Sequence, residues 1–293
     1  FKQKTAYEIG VRLVGSEMCI RDSFYSNWVS VLGLIILLLL TVTALIGPLI
    51  APFDPEDLEI GRRATAPNSM YWVGTDELGR DVFSRAVTAT RVSLLVGIIA
   101  AGVSTLVGIL VGSLSGFFGG WLDHILMRIT EVFQVVPQFF LAVVLVALFG
   151  ASVLNIIVAI ALLTWPIIAR LTRSEFLSLK SRQYVDAAYL GGASNTRLIF
   201  REILPNAMGP IIVSATLLVG RAMLTEAGLS FLGLGDPSRI SLGVMLYQSR
   251  PFVQFAWWAA LFPGMMIFLA VLSTNLIGDG LNDVINPHLN EEK

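Results

Sequence analysis

Six long, predominantly apolar runs constrain this chain more than anything else in it. They lie at about Trp28 to Ile50, Val92 to Phe117, Ile125 to Phe149, Val153 to Ile168, Met208 to Leu224 and Phe255 to Ile277. An α-helix needs about 20 such residues to cross the hydrocarbon layer of a membrane. No water is available there to satisfy backbone N–H and C=O groups, so runs of this kind must fold as helices. The expected fold is an all-α membrane protein with six transmembrane helices and both termini on one side. Composition agrees, since 55% of residues are hydrophobic and only 14% charged, against about 25% charged in soluble domains. The first run exceeds a signal-peptide core and is followed by five more, so it reads as a retained span with Trp28 as an interfacial anchor.

Charge and reactive residues exclude several functions. A formal net charge of -1 creates no general attraction to nucleic acid, so no nucleic-acid partner is expected and the bilayer is the surrounding partner. The single cysteine, Cys19, rules out an internal disulfide, and His124 and His288 are isolated, so no metal site is expected. There is no GxxxxGK[ST] phosphate loop, GxSxG elbow, HExxH pair or soluble carboxylate pair. The chain is therefore not expected to be an enzyme or to bind a cofactor of its own.

Lys and Arg number 12 on the terminal side and 7 on the other, which favours termini inside. Residues 1–23 include the run AYEIGVRLVGSEMCIRDS, which has neither helical nor strand periodicity and reads as a non-native or disordered segment; without it the balance is 8 to 7.

Several local patterns carry further expectations. Gly108, Gly112 and Gly116 repeat every four residues, one stripe of a helix, and predict close approach of a neighbouring helix. Pro137 and Pro166 fall inside the third and fourth spans and predict kinks. Arg221 and Glu226 are ionisable groups within or at the end of the fifth span, where an exposed charge costs about 2.5 to 3.5 kcal/mol. Five residues apart, they point to different faces, so each needs a partner elsewhere. Arg221 is expected to face a translocation path or to act as a structural bridge, and Glu226 to hold the far end of its helix.

Between the fourth and fifth spans lies a polar island with six basic residues from Arg170 to Arg201. Ser181 to Leu190 reads as a short helix, Gly191 and Gly192 as a break admitting positive φ, and Thr196 to Leu204 as a second helix stopped by Pro205. This is a compact knob whose apolar side, Tyr184, Val185, Tyr189 and Leu190, suits insertion into a partner's groove. On the other side, Thr75 followed by Asp76 and Glu77 reads as a helix N-cap leading into an amphipathic Val82 to Val87 stretch at the membrane surface.

The island's sequence, DAAYLGGAS through REILPN, resembles the EAA loop of ABC importer permeases. YWVGTDELGRDVFSR from Tyr71, APFDP from Ala51, LTEAGLSFLGLG from Leu224 and NLIGDGLNDVINPHL from Asn275 are similar to the C-type permease of the dipeptide, oligopeptide and nickel transport family. The resemblance implies the type I ABC importer permease fold in a bacterial or archaeal plasma membrane. It divides the chain into a first helix and external segment at 24–90, a permease core at 91–281 with its loop at 170–207, and a cytoplasmic tail at 282–293. It implies that Tyr184, Asp186, Ala187, Ala188, Gly192, Leu204 and Pro205 form the ATPase-coupling loop, with Asp186 in place of the family's Glu. It also implies that Gly74, Thr75, Asp76, Gly79, Arg80 and Asp81 form an external motif, either structural or in contact with a solute-binding protein. Arg221 stands where the family usually has a small residue, whereas Glu226 fits the pattern. The implied partners are a second, B-type permease, two ABC ATPase subunits holding ATP-Mg, an external solute-binding protein and a peptide substrate. Nickel or a nickel chelate is the alternative cargo. A stand-alone proton- or sodium-driven transporter is a rival of another class, but it calls for inverted repeats, which are not seen.

Overall fold

The computed structural model describes residues 27–58 and 61–285; the 1–23 segment and the 286–293 part of the tail lie outside the described residues. The helices are α1 Trp28–Ile50, α2 Val82–Phe118, α3 Gly120–Val135, α4 Gln138–Phe149, α5 Val153–Lys180, α6 Gln183–Leu190, α7 Asn195–Leu234, α8 Leu242–Ser249 and α9 Trp258–Ile285. Among the described residues the only β pairing is an isolated bridge between Thr75 and Asp81.

Five helices are long and apolar enough to cross a membrane, and the pair α3 and α4 makes a sixth span bent by 84°. The third expected span is therefore a broken helix and not a kinked one. Pro137 has no N–H to continue the ladder, and Val136 before it is held extended at φ -86°, ψ 134°, as steric conflict with the proline ring requires. Pro166, in contrast, lies within α5 without breaking it. The fourth span also extends past Ile168 to Lys180, so the first part of the polar island is a continuation of that helix.

Helix α2 is the hub. It packs most extensively on α5, along the glycine stripe. A Cβ on Gly108 would lie 2.5 Å from Ile168 Cβ, one on Gly116 would lie 2.6 Å from Phe176 Cβ, and one on Gly112 would collide with the Ala169 carbonyl. Only a hydrogen side chain allows this approach, so close van der Waals contact, which lipid cannot match, holds the two spans together. A second clamp joins α3 to α5, where Arg173 Nε and Nη2 each donate to Asp123 at 2.6 Å.

Three apolar clusters stack along α2. One joins it to α1, α7, α8 and α9, a second to α4, α5 and α7, and a third to α5, α6 and α7. Helix α1 lies at the periphery and leaves Leu38, Leu45 and Leu49 exposed for lipid. Its cap Asn27 accepts from Val29 N and donates to Asp283 near the end of α9, which puts both described ends on one face. Lys180 Nζ donates to the Phe117 carbonyl, so α2 and α5 also end on that face, beside α6.

The two-helix knob, the polar groove and the family

Helix α6 ends in a Schellman turn. Ala193 N donates to Ala188 O at 3.1 Å and Gly192 N to Tyr189 O at 3.0 Å, while Gly192 takes φ +81°, the left-handed conformation that glycine adopts without strain. Gly191, expected to share this freedom, has an ordinary φ of -73°. Ser194 then caps α7, its Oγ accepting from Arg197 N.

The inner side of this knob is apolar and buried: Val185, Leu198, Ile199 and Ile203 pack with Phe117 and Phe176. Val185 thus anchors the knob and is not part of its free surface. The outward side presents Tyr184, Asp186, Ala187 and Gly192, together with Tyr189 at 65% and Leu190 at 85% exposure, while Ala188 is half-buried. Desolvation raises the Tyr184 phenol above its ordinary range, with Arg182 opposing, so at neutral pH it is an uncharged hydrogen-bonding group.

Pro205 does not stop the second helix. Leu198–Ile203 is a π-helical turn that runs straight into the α-helical part of α7, and Pro205 is the second residue of that part. The wider turn re-spaces the ladder just where proline lacks an N–H and would press on the preceding carbonyl. Leu204 is half-buried and Pro205 exposed. Glu202 sits 3.7 Å from Arg197 Nε, a surface pair of small energetic weight.

Arg221 and Glu226 occupy two different sites, as their spacing requires. Glu226 is buried, accepting from Ser93 Oγ at 3.1 Å and Ser230 Oγ at 2.8 Å; Ser93 Oγ accepts in turn from Leu242 N. This ties α7, α2 and α8 together at the side away from the knob. Arg221 is exposed in a groove of about 360 Å³ lined also by Gln138, Phe139, Thr164, Ile167, Leu224 and Thr225. The groove opens at the α3–α4 break, where Gln138 Nε2 donates to the Leu163 carbonyl in the middle of α5. No acidic side chain lines it among the described residues, so the exposed Arg221 guanidinium faces the groove without a carboxylate beside it.

A model of the family described as binding-protein-dependent transport system inner membrane component matches residues 108–291, and one described as the N-terminal TM domain of oligopeptide transport permease C matches residues 20–67. The chain belongs to this permease family. The permease is 40% identical over 264 residues to the dipeptide transport system permease protein DppC of Alkalihalophilus pseudofirmus, covering 90% of this chain and 87% of that one. It is 37% identical over 267 residues to the oligopeptide transport system permease protein OppC of Bacillus subtilis, covering 91% and 88%. Among solved structures, inward-facing MetNI methionine ABC transporter matches with a TM-score of 0.55 at 19% identity, over 68% of this chain and 95% of that one. The fold is that of a type I ABC importer permease.

The motif from Gly74 to Asp81 departs from its sequence reading in the permease. Thr75 caps no helix; its Oγ accepts from Thr65 N at 2.9 Å and donates to the Arg62 carbonyl at 2.7 Å. The cap of α2 is Asp81, whose Oδ2 accepts from Ser84 N at 2.8 Å. A helix start goes to the carboxylate that reaches a free N–H, and the turn at Gly79, with φ +78°, delivers Asp81 there. The Val82 to Val87 stretch is accordingly the first turns of a span and largely buried, not a surface helix.

Asp76 is the centre of a buried charge cluster. It accepts from the Leu78 and Arg80 N–H groups, meets Arg80 Nε at 2.7 Å and lies 3.6 Å from Arg85 Nε. Gln248 of α8 closes the cluster, accepting from Arg85 Nη2 at 2.7 Å. Burial, reinforced by the Asp76 charge, raises Glu77 above the usual carboxylate range. Gly74, at φ +84°, leaves room for Trp258, whose Nε1 donates to the Thr75 carbonyl. The motif is thus a folded plug that staples the segment between α1 and α2 to α2, α8 and α9. Gln248, Ser93 and the Asp123–Arg173 pair were not legible as partners, because each meets its mate only through tertiary contact.

Proposed function

We propose that this chain forms half of the translocation path of an ATP-driven importer of short peptides. The observation that carries the reading is the knob: a rigid two-helix projection, anchored by buried apolar residues, with tyrosines, an acid and a leucine left facing outward. Such a surface suits a cleft on another subunit, where a few buried anchors fix most of the affinity. Tyr184, Asp186, Ala187, Ala188, Gly192, Leu204 and Pro205 couple the chain to a pair of ATPases that hold ATP-Mg, and Asp186 meets a basic group there. ATP binding closes the ATPases, the knob moves with them, and the helices pass from inward-open to outward-open. A second permease completes the path, and an external solute-binding protein delivers cargo to the face bearing the plug around Gly74 to Asp81. The knob and both described ends then face the cytoplasm across the inner membrane. Dipeptide and oligopeptide cargo is what the relatives' names supply for this family branch.

Tagged protein extracted in mild detergent is expected to bring down two nucleotide-binding chains and a second permease. The reconstituted complex should take up labelled dipeptide, and not nickel, only with ATP. Uptake that persisted without any ATPase subunit would remove the reading.

Arg221 lines the path and favours cargo bearing a carboxylate, since its charge has no acid beside it in the groove. A hydrogen bond to a charged group contributes about 1.5 to 3 kcal/mol, so Arg221→Ala should slow uptake about tenfold or more while the protein still inserts. Unchanged rate and cargo preference would take Arg221 out of the path.

A further inference from the structure

On the face away from the knob, a second groove of about 570 Å³ lies between the turn after α1, the flank of α2 and the turn before α8. Its lining is ordered by charge. Asp54 and Glu56 stand on one wall, Arg91 and Arg239 contribute the basic groups, and Leu95 provides an apolar floor. None of these four charged side chains makes a close salt bridge within the described residues, although the Glu56 charge is felt at Arg85 and the Arg239 charge at Asp236.

The walls are built, not incidental. Arg85 Nη1 donates to the Pro55 carbonyl at 3.1 Å and Phe53 N to Ser84 Oγ at 3.3 Å, which pins the acidic turn to α2. Asp54 uses Oδ1 to accept from Glu56 N, leaving Oδ2 available. The opposite wall is fixed by Asp236, which accepts from Val153 N and Ser238 N, and by Leu242 N donating to Ser93 Oγ. Burial pushes the Asp236 carboxyl up, but hydrogen bonds from Ser238 and the Val153 N–H outweigh it and hold the group below its usual range, so that wall keeps its acceptor charge. Thr88 Oγ1, whose residue lines the groove, is shielded from solvent and has no partner.

Depth along α2 selects the ligand. Arg91 is the last charged residue before the apolar run from Val92 to Phe117, so it marks the level of the lipid headgroups. Directly below it, at helical spacing, Leu95, Ile98 and Ile99 are exposed on one stripe. A molecule that places a phosphate on arginines, an ammonium on carboxylates and a hydrocarbon chain down such a stripe is a phospholipid.

We propose that this groove binds the headgroup of a zwitterionic phospholipid bearing a primary ammonium, with Arg91 and Arg239 on its phosphate and Asp54 and Glu56 on its ammonium. The inference concerns the leaflet opposite the knob and does not depend on the proposed cargo.

The test is competitive lipid retention by the full-length protein with its copurifying subunits. Phosphatidylethanolamine, phosphatidylcholine and phosphatidylglycerol are offered at equal concentration, and bound lipid is counted by native mass spectrometry. Phosphatidylethanolamine should be retained in preference to both others, because the trimethylated headgroup has no N–H to donate and the glycerol headgroup has no cation. Each arginine removed, as Arg91→Gln or Arg239→Gln, should lower its retention about fivefold. The double variant Asp54→Lys/Glu56→Lys, confined to the exposed turn, should reverse the preference to phosphatidylglycerol. Equal retention of the three lipids by the unmodified protein overturns the proposal without any substitution. So does a charge reversal that leaves the preference unaltered, or displacement of the bound lipid by millimolar dipeptide.

Discussion

A Gly192→Val permease is expected to insert normally and to fail at uptake. The space around Gly192 is open, with nothing within 4 Å of the position a Cβ would take, so the added atoms do not collide with the protein. The conflict is in the backbone. At φ +81° an L-residue bears about 1 to 2 kcal/mol of strain, and a β-branched one more. The Schellman turn has two backbone hydrogen bonds to set against that, so the turn re-forms in another geometry and the second half of the knob points elsewhere. Membrane helices, far from the change and held by their own clusters, stay folded. ATP hydrolysis by the partner subunits should continue while labelled peptide fails to accumulate. Gly192→Asn is the control, because asparagine tolerates the left-handed region and should retain most uptake. Equal loss in both variants would mean that backbone geometry at this turn is not what couples the machine.

The second large effect is expected at Asp76→Ala. Asp76 compensates two buried guanidiniums, and Arg85 is only 2% exposed. Removing one member of a buried pair leaves an uncompensated charge and costs about 3 to 5 kcal/mol, a large share of the roughly 5 to 15 kcal/mol that holds a typical domain. The loss should appear as a marked drop in thermal stability in detergent and in the yield of inserted protein. Replacing Arg85 as well, in Asp76→Ala/Arg85→Met, should recover part of it, since the aliphatic stem packs without a charge to solvate. A single Asp76→Ala variant with unchanged melting behaviour would show that water reaches the cluster and that the plug is not a staple.

The spans were legible because their signal is additive: twenty apolar side chains outvote any one residue. The glycine stripe was legible because close approach has a period that can be counted. Three local readings failed for a shared reason, which is that they asked one residue to decide the backbone. Pro205 looked like a stop, yet a π turn before it absorbs the missing N–H. Pro137 looked like a kink within one span, yet the extended residue it imposes on Val136 separates two helices. Thr75 looked like a cap, yet its hydroxyl is taken by Thr65 and Arg62, and Asp81 reaches the free N–H instead. At the candidate site, spacing alone separated Arg221 from Glu226, but Ser93 beside Glu226 and the acid-free surroundings of Arg221 come from helices distant in sequence.

The knob's second helix runs through a π turn, without a break, into the span that carries Arg221. From Asn195 to Leu229 the backbone stays helical through the π turn at Leu198–Ile203 and past Pro210, so Arg221 lies about 39 Å along the same helix from the turn at Gly192. Any tilt imposed at the base is therefore magnified at the guanidinium in proportion to lever length. The breaks on either side of α6, at Ser181–Arg182 and Gly191–Ser194, are where the proposed coupling motion would bend the chain, ahead of the helix that carries Arg221.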